Sequence, residues 1–142
     1  MLVFCSIVIL LLVTILPTHF FPTWKFFTYS AVFGVVGAYL RYRLSHYNPT
    51  YKNFPIGSFI ANIFGTYVLA VLTLMSKFFV SYSNHHTMAV IFGLAYGFCG
   101  NLTTISTFVN ELNNLPRKAG YIYGLVSTIV AQIGVIMILD IY

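Results

Sequence analysis

An all-α membrane protein is the fold class this sequence predicts, on three observations. Of its 142 residues 59% are hydrophobic and 6% charged, where soluble domains carry roughly one quarter charged residues. The charges sit at the ends of apolar segments long enough to span a bilayer. Within the uncharged stretch from Phe78 to Asn110 lies GFCGNLTTISTFVN, Gly97 to Asn110, which packs two glycines, four hydroxyls and two amides into one short run. Hydrocarbon cannot hydrogen-bond an open backbone, so such an interruption persists only where protein or a water-filled cavity shelters it. Broken membrane helices of this kind build ion or substrate sites.

Charges divide the chain into five apolar segments: Leu2 to Leu16, Trp24 to Leu44, Phe54 to Ser76, Met88 to Leu115, and Ala119 to Leu139. At a rise of roughly 1.5 Å per residue the first falls short of the roughly 30 Å hydrocarbon thickness. No Lys or Arg precedes it and no small-residue cleavage pattern precedes Pro17, which speaks against a signal peptide. It reads as a span that lacks its N-terminal turn. Arg41, Arg43, Lys52, Arg117 and Lys118 fall on one side of the membrane, Lys25 and Lys77 on the other. The positive-inside rule makes the first side cytoplasmic and places Tyr142 outside.

Several function classes are disfavoured. The net charge of +5 comes from seven scattered Lys and Arg with no basic cluster, so it serves topology and lipid headgroups rather than nucleic acid. No grouping of nucleophile, base and acid suggests an enzyme. Cys5 and Cys99 lie in apolar segments and read as buried free thiols. His85 and His86 adjoin Asn84 in a polar loop and, without further ligands, read as solvated. Small residues recur at helical spacing as Gly57, Ala61 and Gly65, Gly93 and Gly97, and Gly120 and Gly124. Three helices that share this pattern predict a tightly packed bundle.

Two places carry candidate chemistry. Asn62, near the middle of an uncharged segment and next to the Gly57, Ala61, Gly65 stripe, is expected to face protein. From position alone it is as much a helix-to-helix hydrogen bond as an N–H donor to an anion. Thr103, Thr104, Ser106, Thr107 and Asn110 follow an expected helix break near Gly100. There the ended carbonyls suit a small cation, and the restarted N–H groups suit an anion. Against this, Ser and Thr in helices often bond back to their own backbone.

GVVGAYLRYRL (Gly34 to Leu44), FPIGSFIANIFGTYVLA (Phe54 to Ala70) and GFCGNLTTISTFVNEL (Gly97 to Leu112) resemble, in order and spacing, the three signature blocks of the Fluc/CrcB fluoride channels. The wording after Phe108 is closer to the second repeat of the two-domain fungal fluoride exporters. The resemblance implies a four-helix repeat over residues 24–142 with a broken third helix. Residues 1–16 would be part of a linker transmembrane helix that reverses one repeat relative to the other. It further implies an antiparallel second repeat, a multi-pass place in the plasma membrane, and passive export of cytoplasmic fluoride. A cation-coupled transporter and a noncatalytic structural half are the rival readings.

Residue by residue, the resemblance assigns the pore amide to Asn62 and a structural Na+ to the backbone carbonyls of Gly100 and Thr103. Phe108 becomes a ring whose edge lines the fluoride path, with Thr104, Ser106 and Thr107 as nearby hydroxyls. Tyr123 and Ser127, at i and i+4, resemble the polar track of the last helix. Arg41 matches a basic position, read as snorkelling to the interface over a direct role. One departure stands out: Ile105 occupies the first phenylalanine of the family's TTFSTF run, and an aliphatic chain has no positive ring edge to offer an anion.

Overall fold

The computed structural model describes residues 22–48, 54–80 and 85–140. The segment Leu2 to Leu16, with Cys5, and the loop residue Lys52 lie outside them. Among the described residues the chain is helical apart from short connections. The helices are α1 (Pro22–Ser45), α2 (Ile56–Val80), α3 (His85–Phe92), α4 (Gly100–Leu102), α5 (Ile105–Asn114) and α6 (Arg117–Asp140). Between α3 and α4 the helix widens into a π-helical stretch, Gly93–Cys99, so that α3 to α5 form one interrupted rod.

Among the described residues three stretches are long and apolar enough to cross a membrane: Ile56–Phe78, Thr87–Asn114 and Arg117–Asp140. At 24 residues α1 equals α6 in length; it carries Lys25, Arg41 and Arg43, which dilute its hydropathy. Element bounds agree with the apolar segments to within a few residues. The physical reason is the one that defined them: charges and Pro22, Pro55 and Pro116 mark where helices can begin.

Packing rests on backbone approach. On α1, Gly37 lies so near the π-helical stretch that an added Cβ would stand 2.3 Å from the Phe98 carbonyl oxygen. From the other side, Gly97 would bring one within 2.3 Å of the Ser30 carbonyl oxygen. Such contact is how membrane helices gain dispersion energy where lipid removes the hydrophobic drive to associate. The core behind it gathers Leu72, Ile91, Ala95 and Cys99, with Leu102 fully buried. Cys99 is a free thiol, as the sequence suggested.

Helix α6 packs on α2 through Gly134, which faces the Tyr67 ring, and the Tyr67 hydroxyl donates to the Val130 carbonyl at 2.7 Å. Its other side exposes Ile122, Leu125, Ile129, Ile133 and Ile136.

Candidate functional site

The rod breaks at Thr103 and Thr104. Both adopt extended backbone, with φ −79° and ψ 147° at Thr103 and φ −155° and ψ 123° at Thr104. Gly100, where the break was expected, is ordinary right-handed helix at φ −63° and ψ −31°. The discontinuity falls three positions later for a tertiary reason. Helical register would send the Thr104 N–H to the Gly100 carbonyl, but it donates instead to Asn62 Oδ1 at 3.0 Å. Asn62 thus holds the break open from α2. Its Oδ1 is committed, which leaves the NH2 end as the donor it can offer elsewhere.

Beside the break lies a groove of about 450 Å³. Asn62 and Thr66 of α2, Thr103, Thr104, Ile105 and Phe108 around the break, and Ser127 and Thr128 of α6 line it. The start of α5 opens onto the same region. Thr104, its N-cap, makes no side-chain cap bond, because its Oγ1 pairs with Ser106 Oγ at 3.0 Å. The first N–H groups of a helix have no intrahelical acceptor, and here no cap side chain supplies one.

The hydroxyls sort into two kinds. Thr66 Oγ1 donates to the Asn62 carbonyl at 2.7 Å, Thr103 Oγ1 to the Cys99 carbonyl at 2.8 Å, and Thr128 Oγ1 to the Gly124 carbonyl at 2.9 Å. These are i−4 back-bonds that satisfy the side chain within its own helix. Ser127 differs. Its residue is 8% exposed and its Oγ is buried with no hydrogen-bond partner. A buried hydroxyl without a partner costs on the order of 1–3 kcal/mol, and Ser127 carries it in the groove wall.

The structure brings Asn62, Thr103, Thr104, Ile105, Phe108 and Ser127 together in this groove. Ser106, Thr107 and Tyr123 are not among its lining residues, and neither is Arg41. Tyr123 is fully buried and turns its hydroxyl to Glu111 Oε2 at 2.9 Å. Its ring backs Phe108, with centroids 5.2 Å apart, and meets Phe54 edge-on at 5.1 Å. Ile105 is 80% exposed. Gly100 is exposed too, and a Cβ there would meet nothing within 4 Å.

Around Glu111 the fold gathers Asn48 and Ser58, which sequence reasoning passed over. Asn48 Nδ2 donates to Glu111 Oε1 at 3.0 Å, and Ser58 Oγ donates to the same oxygen. The usable signal was slight: Asn48 lies just beyond α1 and Ser58 in the first turn of α2, where polar side chains commonly serve helix ends. Among the described residues no group of three or more His, Cys, Asp or Glu is placed to hold a metal ion. Neutral carbonyls are another matter. The diverted Thr104 N–H leaves the Gly100 carbonyl without its helical donor, and the extended Thr103 carries its own carbonyl out of register. Oxygens of that kind suit a hard cation.

Taken together, the chain is a helical bundle with spans long and apolar enough for a membrane, a sheltered backbone break, an amide holding it and an unpartnered buried hydroxyl in the same groove. The family described as CrcB-like protein, Camphor Resistance (CrcB) matches residues 28–139, and the chain belongs to it. Fluoride export protein 1 of Candida albicans is 42% identical over 127 residues, covering 84% of this chain and 33% of that protein. Fluoride export protein 1 of Saccharomyces cerevisiae is 32% identical over 123 residues, 81% of this chain and 33% of that protein. The fluoride-specific ion channel FluC 1 of Staphylococcus aureus is 43% identical over 86 residues, 61% of this chain and 67% of that protein. The chain therefore spans about a third of the length of these fungal relatives.

Proposed function

We propose that this chain is one repeat of a fluoride channel and lets fluoride leave the cytoplasm passively. Its groove, completed by an antiparallel second repeat, would form the ion's path. Family membership and the fluoride-named relatives support the substrate; the chemistry of the groove supports the mode. Fluoride is small and strongly hydrated, so a dry passage must replace its water with donors. The Asn62 amide, the Ser127 hydroxyl, the opening N–H groups of α5 and the Phe108 ring edge are such donors, with the alcohols of Thr104, Ser106 and Thr107 close to the break. None is a fixed cation, which would hold the ion too tightly to release it. Hydrogen fluoride enters as a neutral acid and dissociates inside, and a negative-inside potential drives the anion out without a chemical reaction.

The observation that carries this reading is Ser127 Oγ, buried and unpartnered in a wall shared with Asn62. Gly100 supports the second repeat. A glycine within a helix costs about 1 kcal/mol relative to alanine, and this one gives its own chain no close approach in return. An exposed face with Gly100 at its centre and Tyr96 and Ile105 nearby suits intimate contact with another backbone. In that arrangement the carbonyls of Gly100 and Thr103 would hold a structural Na+, a charge that ties the two halves together. Residues 1–16 would belong to the linker helix and 24–142 to the repeat, in the plasma membrane, with Arg41 anchored at its interface.

Ile105 favours one variant of this proposal, in which the path along this repeat is impaired and the chain serves mainly as the structural half. Fluoride efflux from liposomes holding the assembled channel separates the two. Asn62→Ala and Phe108→Ala are expected to cut efflux by tenfold or more. Efflux unchanged by both, in protein that still folds, would assign conduction elsewhere.

A further inference from the structure

We propose that Asn48, outside the groove, is a positioning residue for the permeation path: it fixes the Glu111 carboxylate, and through it Tyr123 and the ring of Phe108. The inference rests on the reading of the groove as the fluoride path.

Asn48 uses both ends of its amide. Oδ1 accepts from the Ser58 N–H at 3.0 Å, while Nδ2 donates to Ser58 Oγ at 2.9 Å and to Glu111 Oε1 at 3.0 Å. One side chain thereby ties the connection after α1 to the first turn of α2 and to α5. Glu111 passes the constraint on, since its second oxygen accepts from the Tyr123 hydroxyl at 2.9 Å. Tyr123 is fully buried between Phe54 and Phe108, so its ring cannot shift without moving Phe108. The sequence makes room for this arrangement at Gly57, where a Cβ would stand 1.8 Å from the Leu44 carbonyl oxygen and 2.8 Å from Asn48 Oδ1.

The donor–acceptor sense of the Asn48 and Glu111 pair is what distinguishes positioning from bulk support. An amide facing a carboxylate satisfies it; a carboxylate in place of the amide would repel it and free Tyr123. Reversing both members restores a complementary pair with the charge moved to the other side chain. Chemistry of this kind responds to pairing, whereas a merely structural residue answers to volume.

The test is fluoride flux per folded channel, with fluoride-over-chloride selectivity, in liposomes holding the channel assembled with its second repeat. Asn48→Asp is expected to lower flux at least tenfold, and adding Glu111→Gln to it to recover most of that loss. An Asn48→Asp channel that conducts and selects like the unsubstituted one would overturn the positioning role. If Asn48→Asp alone does not fold, the doubly substituted channel carries the test: folded and conducting supports the role, folded and silent overturns it. Absence of fluoride flux from the unsubstituted channel would instead refute the permeation reading, and the role of Asn48 with it.

Discussion

Alanine at two glycines of the same rod, Gly97 and Gly100, should have opposite effects. At Gly97 the new Cβ would stand 2.3 Å from the Ser30 carbonyl oxygen and 2.7 Å from Ser30 Cα, about 1 Å inside the 3.4 Å at which ordinary contact begins. Both neighbours are backbone, so α1 must move as a body. Overpacking of this kind costs typically 1–3 kcal/mol, and rigid partners put it near the upper figure. At Gly100 nothing lies within 4 Å and the backbone is helical, so alanine gains roughly 1 kcal/mol of helix propensity. The two variants should differ by about 4 kcal/mol in the stability of this repeat. Thermal unfolding of the detergent-solubilised repeat, followed by helical circular dichroism, reads the order. Gly97→Ala should melt below the parent and Gly100→Ala at or above it. In the assembled channel the second is expected to lose fluoride flux, because its methyl meets the other repeat. A Gly97→Ala protein that melts like the parent would refute the close packing of α1. Normal flux with Gly100→Ala would refute the contact assigned to that face.

Three further outcomes follow from the groove. Ser127→Ala removes a buried hydroxyl that has no partner, so the protein should melt no lower than the parent while fluoride efflux falls; lowered stability with normal efflux would make the hydroxyl structural. Ile105→Phe adds a ring at a position 80% exposed, where no neighbour of this chain need yield, and should raise efflux through this repeat; an unchanged rate would show that the missing ring edge does not limit it. Exchanging Na+ for a bulky organic cation should lower the melting temperature of the assembled channel, and a constant value would remove the cation from the Gly100 and Thr103 carbonyls.

The spans were legible because charge and proline punctuate this chain so sparsely. Ala119 to Leu139 anticipates Arg117–Asp140, and Gly57, Gly93 and Gly97 of the glycine stripes mark close backbone approaches, while Gly65 meets the side chains of Thr103 and Leu102. The break was legible in kind but misplaced by three residues. The reading sets it near Gly100, whereas that glycine simply continues the helix. The real cause is a hydrogen bond from Thr104 to Asn62 that spans 42 positions, which local propensity cannot register. The same limit hid the partners of Glu111, since Asn48 lies 63 positions away. It also hid the partner of Tyr123, which the resemblance sets with Ser127 on a polar track and whose hydroxyl donates to Glu111.

The π-helical stretch bears on how the length of this chain can vary. An extra residue taken up there adds a wider turn and leaves the helices on either side in phase, whereas one residue elsewhere in a helix rotates everything beyond it by roughly 100°. Loss of one residue between Gly93 and Cys99 should therefore tighten the stretch to an ordinary α turn, with Leu102 still directed inward. The equivalent deletion in α6 ahead of Ser127 would turn its hydroxyl out of the groove wall. Homologues that differ by one residue in this part of the rod could thus share one register at the break.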